Sequence, residues 1–250
     1  LVWVLFNYSI EQLSNPMSMP CQEFRDAVFE QFARIGKAVA HRKRLELLDL
    51  LVQAERTVEV LAEAANIPLA STSQHLQALR AAGLVEARKE GLYVTYRIAD
   101  PAVAGLLQAL RVLAERRLAD LEAITRRFME QSGDMEKLSA ADLLARIEEG
   151  SVTVLDVRPP EEYEAGHIPG ALSMPLKDLE AHLSQLPRDQ QIVAYCRGRY
   201  CVLAVQAVRL LQEQGYQVAG LEDGMQGWTA RGFAVACGAG GGQGPGARDQ

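Results

Sequence analysis

The stretch Gln191-Ile192-Val193-Ala194-Tyr195-Cys196-Arg197-Gly198-Arg199-Tyr200-Cys201-Val202-Leu203-Ala204-Val205 passes from a short apolar run, through a six-residue loop, into a helical pattern that reaches Gln214. Five apolar-rich residues are too few for a buried helix and enough for a buried strand, so the stretch reads as strand, loop, helix. A cysteine at the end of such a strand faces a helix N-terminus. The helix dipole, with Arg197 and Arg199, is expected to favour its thiolate, and an anionic sulfur or oxyanion would be held there too. Cys196 is therefore the candidate nucleophile, and Arg197, Gly198, Arg199, Tyr200 and Cys201 form the candidate substrate-binding loop.

Around this stretch, strand patterns at 152–157, 172–174, 192–195 and 218–221 alternate with helical ones at 140–149, 176–186 and 201–214. That alternation implies a parallel sheet covered by helices on both faces, with ligands at the carboxyl ends of the strands, where Cys196 falls.

The pattern upstream is different. Helices are predicted over Cys21–Val39 and His41–Leu51, then a short one over Val58–Ala65 capped by Thr57, and another from Leu69 to Ala82 that stops at Gly83. A short helix, a tight turn at Asn66-Ile67-Pro68 and a longer helix make a helix-turn-helix. Strands at 84–88 and 93–97 around Lys89-Glu90-Gly91-Leu92 form a candidate wing. From Pro101 one long helix is predicted to about Gln131. Its stripe of Val103, Leu107, Leu110, Ala114, Leu121, Ile124 and Phe128 is broken only by Arg117, and such a seam points to pairing with a helix of a second subunit.

The fold class is thus two domains, a mainly α winged helix-turn-helix followed by an α/β parallel sheet with helices on both faces. Residues 21–131 form the first, 132–137 a linker and 138–236 the second. Residues 1–20 resemble no folded element and are expected to be a non-native or disordered leader, with translation starting near Met17 or Met19. Residues 237–250, glycine-rich and polar, are expected to be a disordered tail. The net charge of −6 lies wholly in the second half: 16 basic and 16 acidic residues precede position 131, and 10 basic and 16 acidic follow. Global acidity therefore does not exclude DNA binding by the first half. Four cysteines, two of them in one loop, make no disulfide framework and fit a reducing cytosol. The apolar opening Leu1–Phe6 is too short to span a membrane.

The run His75-Leu76-Gln77-Ala78-Leu79-Arg80-Ala81-Ala82-Gly83-Leu84-Val85, continued by Lys89-Glu90-Gly91-Leu92-Tyr93-Val94-Thr95-Tyr96-Arg97-Ile98-Ala99-Asp100, resembles the recognition helix and wing of ArsR-type winged-helix repressors. The resemblance implies a homodimer joined through first and last helices, acting on a double-stranded DNA operator. Docking geometry then places Ser71, Ser73, Gln74 and His75 at base edges and Arg80, Arg88 and Lys89 at phosphates. Each of these has a plainer reading: the serines and Gln74 solvate a helix, and His75 packs. Metal sensing is not expected, because the third helix has no cysteine, the long helix has no histidine, and Asp100 alone makes no site. Cys21 is either a packed small residue or a thiol acceptor.

The segments Leu155-Asp156-Val157-Arg158, Glu161-Glu162-Tyr163, Gly166-His167-Ile168-Pro169-Gly170-Ala171, the cysteine loop and Gly224-Met225-Gln226-Gly227-Trp228 together resemble a single-domain rhodanese. The resemblance implies sulfurtransferase activity without a cofactor, in which Cys196 takes sulfane sulfur from a small anionic donor and yields it to a thiol acceptor. Asp156, Arg158 and His167 are read as structural. A phosphatase would need an arginine where Val202 stands, so that chemistry is disfavoured. Cys201 is either a resolving thiol or an inert helix-start residue. The combined reading is a cytoplasmic regulator that links sulfur or thiol stress to gene control. Its rivals are a sulfurtransferase that uses the winged helix only to dimerise, and a regulator with an inactive rhodanese domain.

Overall fold

The computed structural model describes residues 20–131 and 135–238. The leader apart from Pro20, residues 132–134 of the linker, and the tail beyond 238 lie outside the described residues. The chain divides into two compact units after residue 103, with residues 52–54 counting with the second.

In the first unit, α1 (Cys21–Val39) and α2 (Arg42–Gln53) follow the helical spacing of the sequence. They differ in what they bury. Leu47, Leu48, Leu50 and Leu51 of α2 are in the core, whereas Phe24, Phe29 and Phe32 of α1 are about 60% exposed. Thr57 caps α3 (Val58–Ala64) by accepting from the Val60 N–H. The turn that follows carries Asn66 at φ 48°, and α4 (Leu69–Ala81) buries Thr72, Leu76 and Leu79. Arg34 of α1 donates to the Ala81 carbonyl at 2.8 Å, which satisfies one of the orphan acceptors at the end of α4.

A strand that the sequence pattern did not announce, β1 (Arg56–Thr57), pairs with β3 (Tyr93–Ile98), which in turn pairs with β2 (Val85–Glu90). Two residues carry too little alternation to be seen. Glu90 pairs with Tyr93, so the expected four-residue turn tightens to Gly91-Leu92, with glycine first at φ +61°. The expected single long helix is two helices, α5 (Ala102–Arg117) and α6 (Ala119–Gln131), interrupted at Leu118. Beside the Arg117 that broke the seam, the Leu121 N–H turns to the Leu118 carbonyl three residues back, and Asp120 and Glu122 start a new helix at its positive end.

The second unit is a five-stranded parallel sheet in the order β4-β8-β7-β5-β6. Its strands are β4 (Lys137–Leu138), β5 (Val152–Asp156), β6 (Leu172–Ser173), β7 (Gln191–Tyr195) and β8 (Val218–Leu221). Its helices are α7 (Ala140–Glu148), α8 (Pro160–Ala165), α9 (Leu176–Leu179), α10 (Val202–Glu213) and α11 (Gly224–Ala230), with a 3-10 turn at Glu180–Gln185. Strand β4 begins at Lys137, the last residue of what the sequence reads as linker. Ile192 and Ala194 of β7 enter one apolar cluster while Val193 and Tyr195 enter the other, so the sheet is packed on both faces. Among the described residues no helix is long and apolar enough to cross a membrane.

Candidate sulfur site and nucleic-acid interface

Cys196 leaves the carboxyl end of β7, and register places Tyr195 opposite Asp156 of β5. The loop that follows is held from outside by α11. The Met225 N–H donates to the Cys196 carbonyl and the Gln226 N–H to the Arg197 carbonyl, both at 2.9 Å. This docking requires glycine at 224, where φ is +55° and a Cβ would lie 2.5 Å from the Cys196 carbonyl oxygen and 2.8 Å from the Gly198 nitrogen. Inside the loop, the Cys201 N–H donates to the Gly198 carbonyl at 3.0 Å and closes the turn.

Beneath it lies a buried charge network. Arg197 donates to both oxygens of Glu162, with Nη2–Oε1 at 2.6 Å and Nε–Oε2 at 3.0 Å, and Glu162 is fully buried. Arg158 grips Asp156 through Nε and Nη2, the latter at 2.6 Å, and also donates to the Gly166 carbonyl. Burial works against the Arg158 charge, yet the hydrogen bonds and charge of Asp156, with Tyr195 and Glu162, leave it more firmly protonated than usual. Burial likewise opposes the Arg197 charge and Glu162 more than offsets it. The sequence reads Asp156 and Arg158 as structural, and both lie in this network. His167 also packs: its ring stacks 3.7 Å from that of Tyr163 and its Nδ1 meets the Tyr163 carbonyl.

Two expectations need correction here. Arg197 anchors the loop, since its Nε and Nη2 are engaged by Glu162. Arg199 pairs with Glu222, at 4.0 Å with both half-exposed, and stands beside the exposed Tyr200. The second correction concerns ionisation. Cys196 is 2% exposed, and burial, with hydrogen bonding to Cys201, pushes its thiol up. The Cys196 hydrogen bond, helped by the Arg197 charge and the Leu203 and Arg197 amides, draws Cys201 down to about 6 despite burial. Burial thus works against a thiolate at Cys196, and the loop favours ionisation at Cys201. The amides of Ala204 and Gly198 face the Cys196 sulfur. Sequence reading missed Glu162 and Gly224. Both stood in quoted motifs, but the contacts that give them roles link residues far apart in the chain.

In the first unit, Ser71, Ser73, Gln74, His75 and Arg80 lie on α4 and Arg88 and Lys89 on β2. Gln74, Arg80, Arg88 and Lys89 are exposed, and Ser71, Ser73 and His75 are half-buried. Arg88 pairs with Glu55 at 3.2 Å, an exposed contact that a phosphate can displace. The His75 ring lies 4.5 Å from that of His41. Partial burial, then the charges of His41 and Arg44, hold its pKa below the ordinary value. Cys21 is exposed rather than packed. Among the described residues no three metal-ligating side chains cluster.

A winged helix-turn-helix followed by a sheet bearing a cysteine loop defines a two-domain protein that joins a DNA-binding fold to a sulfurtransferase fold. Comparison with known proteins agrees. Residues 139–231 match the rhodanese-like domain, and residues 39–88 match a helix-turn-helix domain. The HTH-type transcriptional regulator Rv0324 of Mycobacterium tuberculosis is 47% identical over 213 residues, which is 85% of this chain and 93% of that protein. A sulfurtransferase of Allochromatium vinosum is 32% identical over 103 residues, covering 41% of this chain and 92% of that one. The solved homodimeric winged helix-turn-helix domain Mb0332 of Mycobacterium bovis is 44% identical, covers 42% of this chain and 95% of that chain, and has a TM-score of 0.38. The chain belongs to the family of HTH-type transcriptional regulators in which a winged helix of ArsR-type pattern is joined to a rhodanese-like domain.

Proposed function

We propose that this regulator is a cytoplasmic homodimer that binds a double-stranded operator through α4 and the β2–β3 wing and carries sulfane sulfur on Cys196, linking sulfur or thiol stress to transcription. The observation that carries the chemistry is the paired thiols inside one loop, with backbone amides facing both sulfurs. Cys196 Sγ attacks the outer sulfur of thiosulfate or a persulfide as its proton passes to the Cys201 thiolate. The S–S bond of the donor breaks, sulfite or a thiolate leaves, and a persulfide remains on Cys196, its charge held by the Gly198 and Ala204 amides. A thiol acceptor then takes the outer sulfur and restores Cys196. On the DNA side, Ser71, Ser73, Gln74 and His75 meet base edges while Arg80, Arg88 and Lys89 neutralise phosphates. The exposed apolar residues of α1 and of α5–α6, among them Phe29, Phe32, Leu110 and Ile124, supply the subunit interface.

The test is one preparation read two ways. Thiosulfate:cyanide sulfur transfer should be present in wild type and lost in Cys196→Ser. Operator affinity, measured with and without polysulfide, should differ in wild type and not in Cys196→Ser. Equal transfer by both proteins removes the persulfide reading. Equal affinities leave a regulator that sulfur does not control, and no operator recovered at all leaves the sulfurtransferase alone.

A further inference from the structure

Cys201 occupies the position immediately before α10, where a serine or threonine would accept a hydrogen bond from the first helical turn. Its side chain makes no such capping bond. The turn is closed by the bond from the Cys201 N–H to the Gly198 carbonyl, Cys196 Sγ lies 3.4 Å from the Cys201 carbonyl oxygen, and the two cysteine side chains interact by hydrogen bonding. Cys201 is half-buried where Cys196 is sealed, so solvent and small thiols reach it first. Two sulfurs held together by loop and helix amides, one enclosed and one accessible, make a pair suited to exchange.

We infer that Cys201 is a resolving thiol that converts the Cys196 persulfide into an intraloop disulfide and releases hydrogen sulfide ion. The inference rests on the persulfide reading above. Cys201, which took up the Cys196 proton when the persulfide formed, gives that proton up as its sulfur attacks Sγ of Cys196, the inner sulfur. A Cys196–Cys201 bond forms, the bond to the sulfane sulfur breaks, and that sulfur leaves with the electron pair as HS⁻, carrying the proton released by Cys201. The sulfane sulfur is thereby reduced to sulfide as the two cysteines are oxidised, and no outside oxidant is used. A thiol reductant restores the loop by two successive exchanges, itself becoming a disulfide. The loop then reports sulfane sulfur as a thiol-to-disulfide change rather than storing it.

The chain itself supplies the readout, because trypsin cuts after Arg197 and Arg199 and releases the two cysteines in separate peptides. The full-length protein and its Cys201→Ser variant are reduced, given a single equivalent of sodium polysulfide without oxygen, blocked with an alkylating agent, digested and weighed. Wild type is expected to yield the two peptides cross-linked, with the loss of two hydrogens and release of sulfide. Cys201→Ser is expected to hold an extra sulfur on the Cys196 peptide and to release at least about tenfold less sulfide. An extra sulfur that stays on Cys196 in wild type, as it does in the variant, overturns the resolving role and leaves the persulfide reading intact. An extra sulfur found on the Cys201 peptide overturns the order of attack. No added sulfur on either protein removes the relay and the persulfide reading together.

Discussion

At the scale of single residues, the site turns on which sulfur holds the proton. Burial raises the Cys196 thiol, and the hydrogen bond it donates is the main reason that Cys201 ionises near 6. Alkylation of Cys201 by iodoacetamide should therefore rise with pH through a midpoint of about 6. In Cys196→Ala, which removes the donor, the midpoint should move upward toward the ordinary thiol range; an unmoved midpoint would show that Arg197 and the helix amides suffice alone. Glu162 is the second decisive residue. It is fully buried, takes the fork of Arg197 and lies 3.9 Å from Arg158. Glu162→Gln keeps the shape but leaves Arg197, 16% exposed, without its counter-charge. Breaking a buried pair in this way costs about 3 kcal/mol, to be seen as an earlier urea midpoint, and sulfur transfer should fall because the loop loses its anchor. The sequence displayed Cys196 openly, since a cysteine between strand and helix patterns is a local signal. It did not display the proton's location or the Arg197–Glu162 fork, which depend on burial and on a contact across 35 positions.

Among the elements, α10, β7 and the long helices were legible because burial imposes a period on residues that follow one another. Strands β1 and β4 were not, being two-residue pairings to distant partners, nor was the interruption at Leu118, where a seam of threes and fours reads through one broken turn. The recognition helix α4 was placed to within a residue by Pro68 and Gly83, but the contact of His75 with His41 was not visible, since it joins two elements through side chains alone. Partial burial of His75, and after it the charges of His41 and Arg44, should make the first unit sensitive to acid. The folded-state pKa of His75 lies below its unfolded value of about 6.5, so the unfolded chain binds more protons between the two. The contribution of His75 is complete above the unfolded value and is lost as pH falls through the folded one. Thermal unfolding from pH 8 down to 5 should show this decline in wild type, and His75→Gln should lessen it; identical profiles would assign the acid sensitivity elsewhere. In α11, Gly224→Ala puts a methyl group against the backbone of Cys196 and Gly198 at a left-handed φ. It should displace α11 from the loop and lower sulfur transfer more than it lowers stability, as activity and urea unfolding compared on one preparation would record.

For the whole molecule, the question is whether the winged-helix and rhodanese-like parts need the same assembly. Phe32 on α1 is 62% exposed in the single chain, as are Phe24 and Phe29 to a similar degree, and Ile124 on α6 is 65% exposed. Large apolar side chains left bare on α1 and α6 are expensive unless another copy covers them. The substitution Phe32→Asp removes no core contact, since α1 buries only Ala38, so the protomer should fold as before. A buried, unpaired carboxylate would then oppose association, and sedimentation should show a shift from dimer to monomer at micromolar concentration. Operator binding should weaken by roughly a hundredfold, because a lone recognition helix gives up the second half-site that a dimer holds at high effective concentration. Sulfur transfer at Cys196 should be unaffected, since every group argued to act there comes from the second unit. A loss of both functions together would mean that the cysteine loop is completed by the partner subunit, whereas retention of both would move the interface off α1.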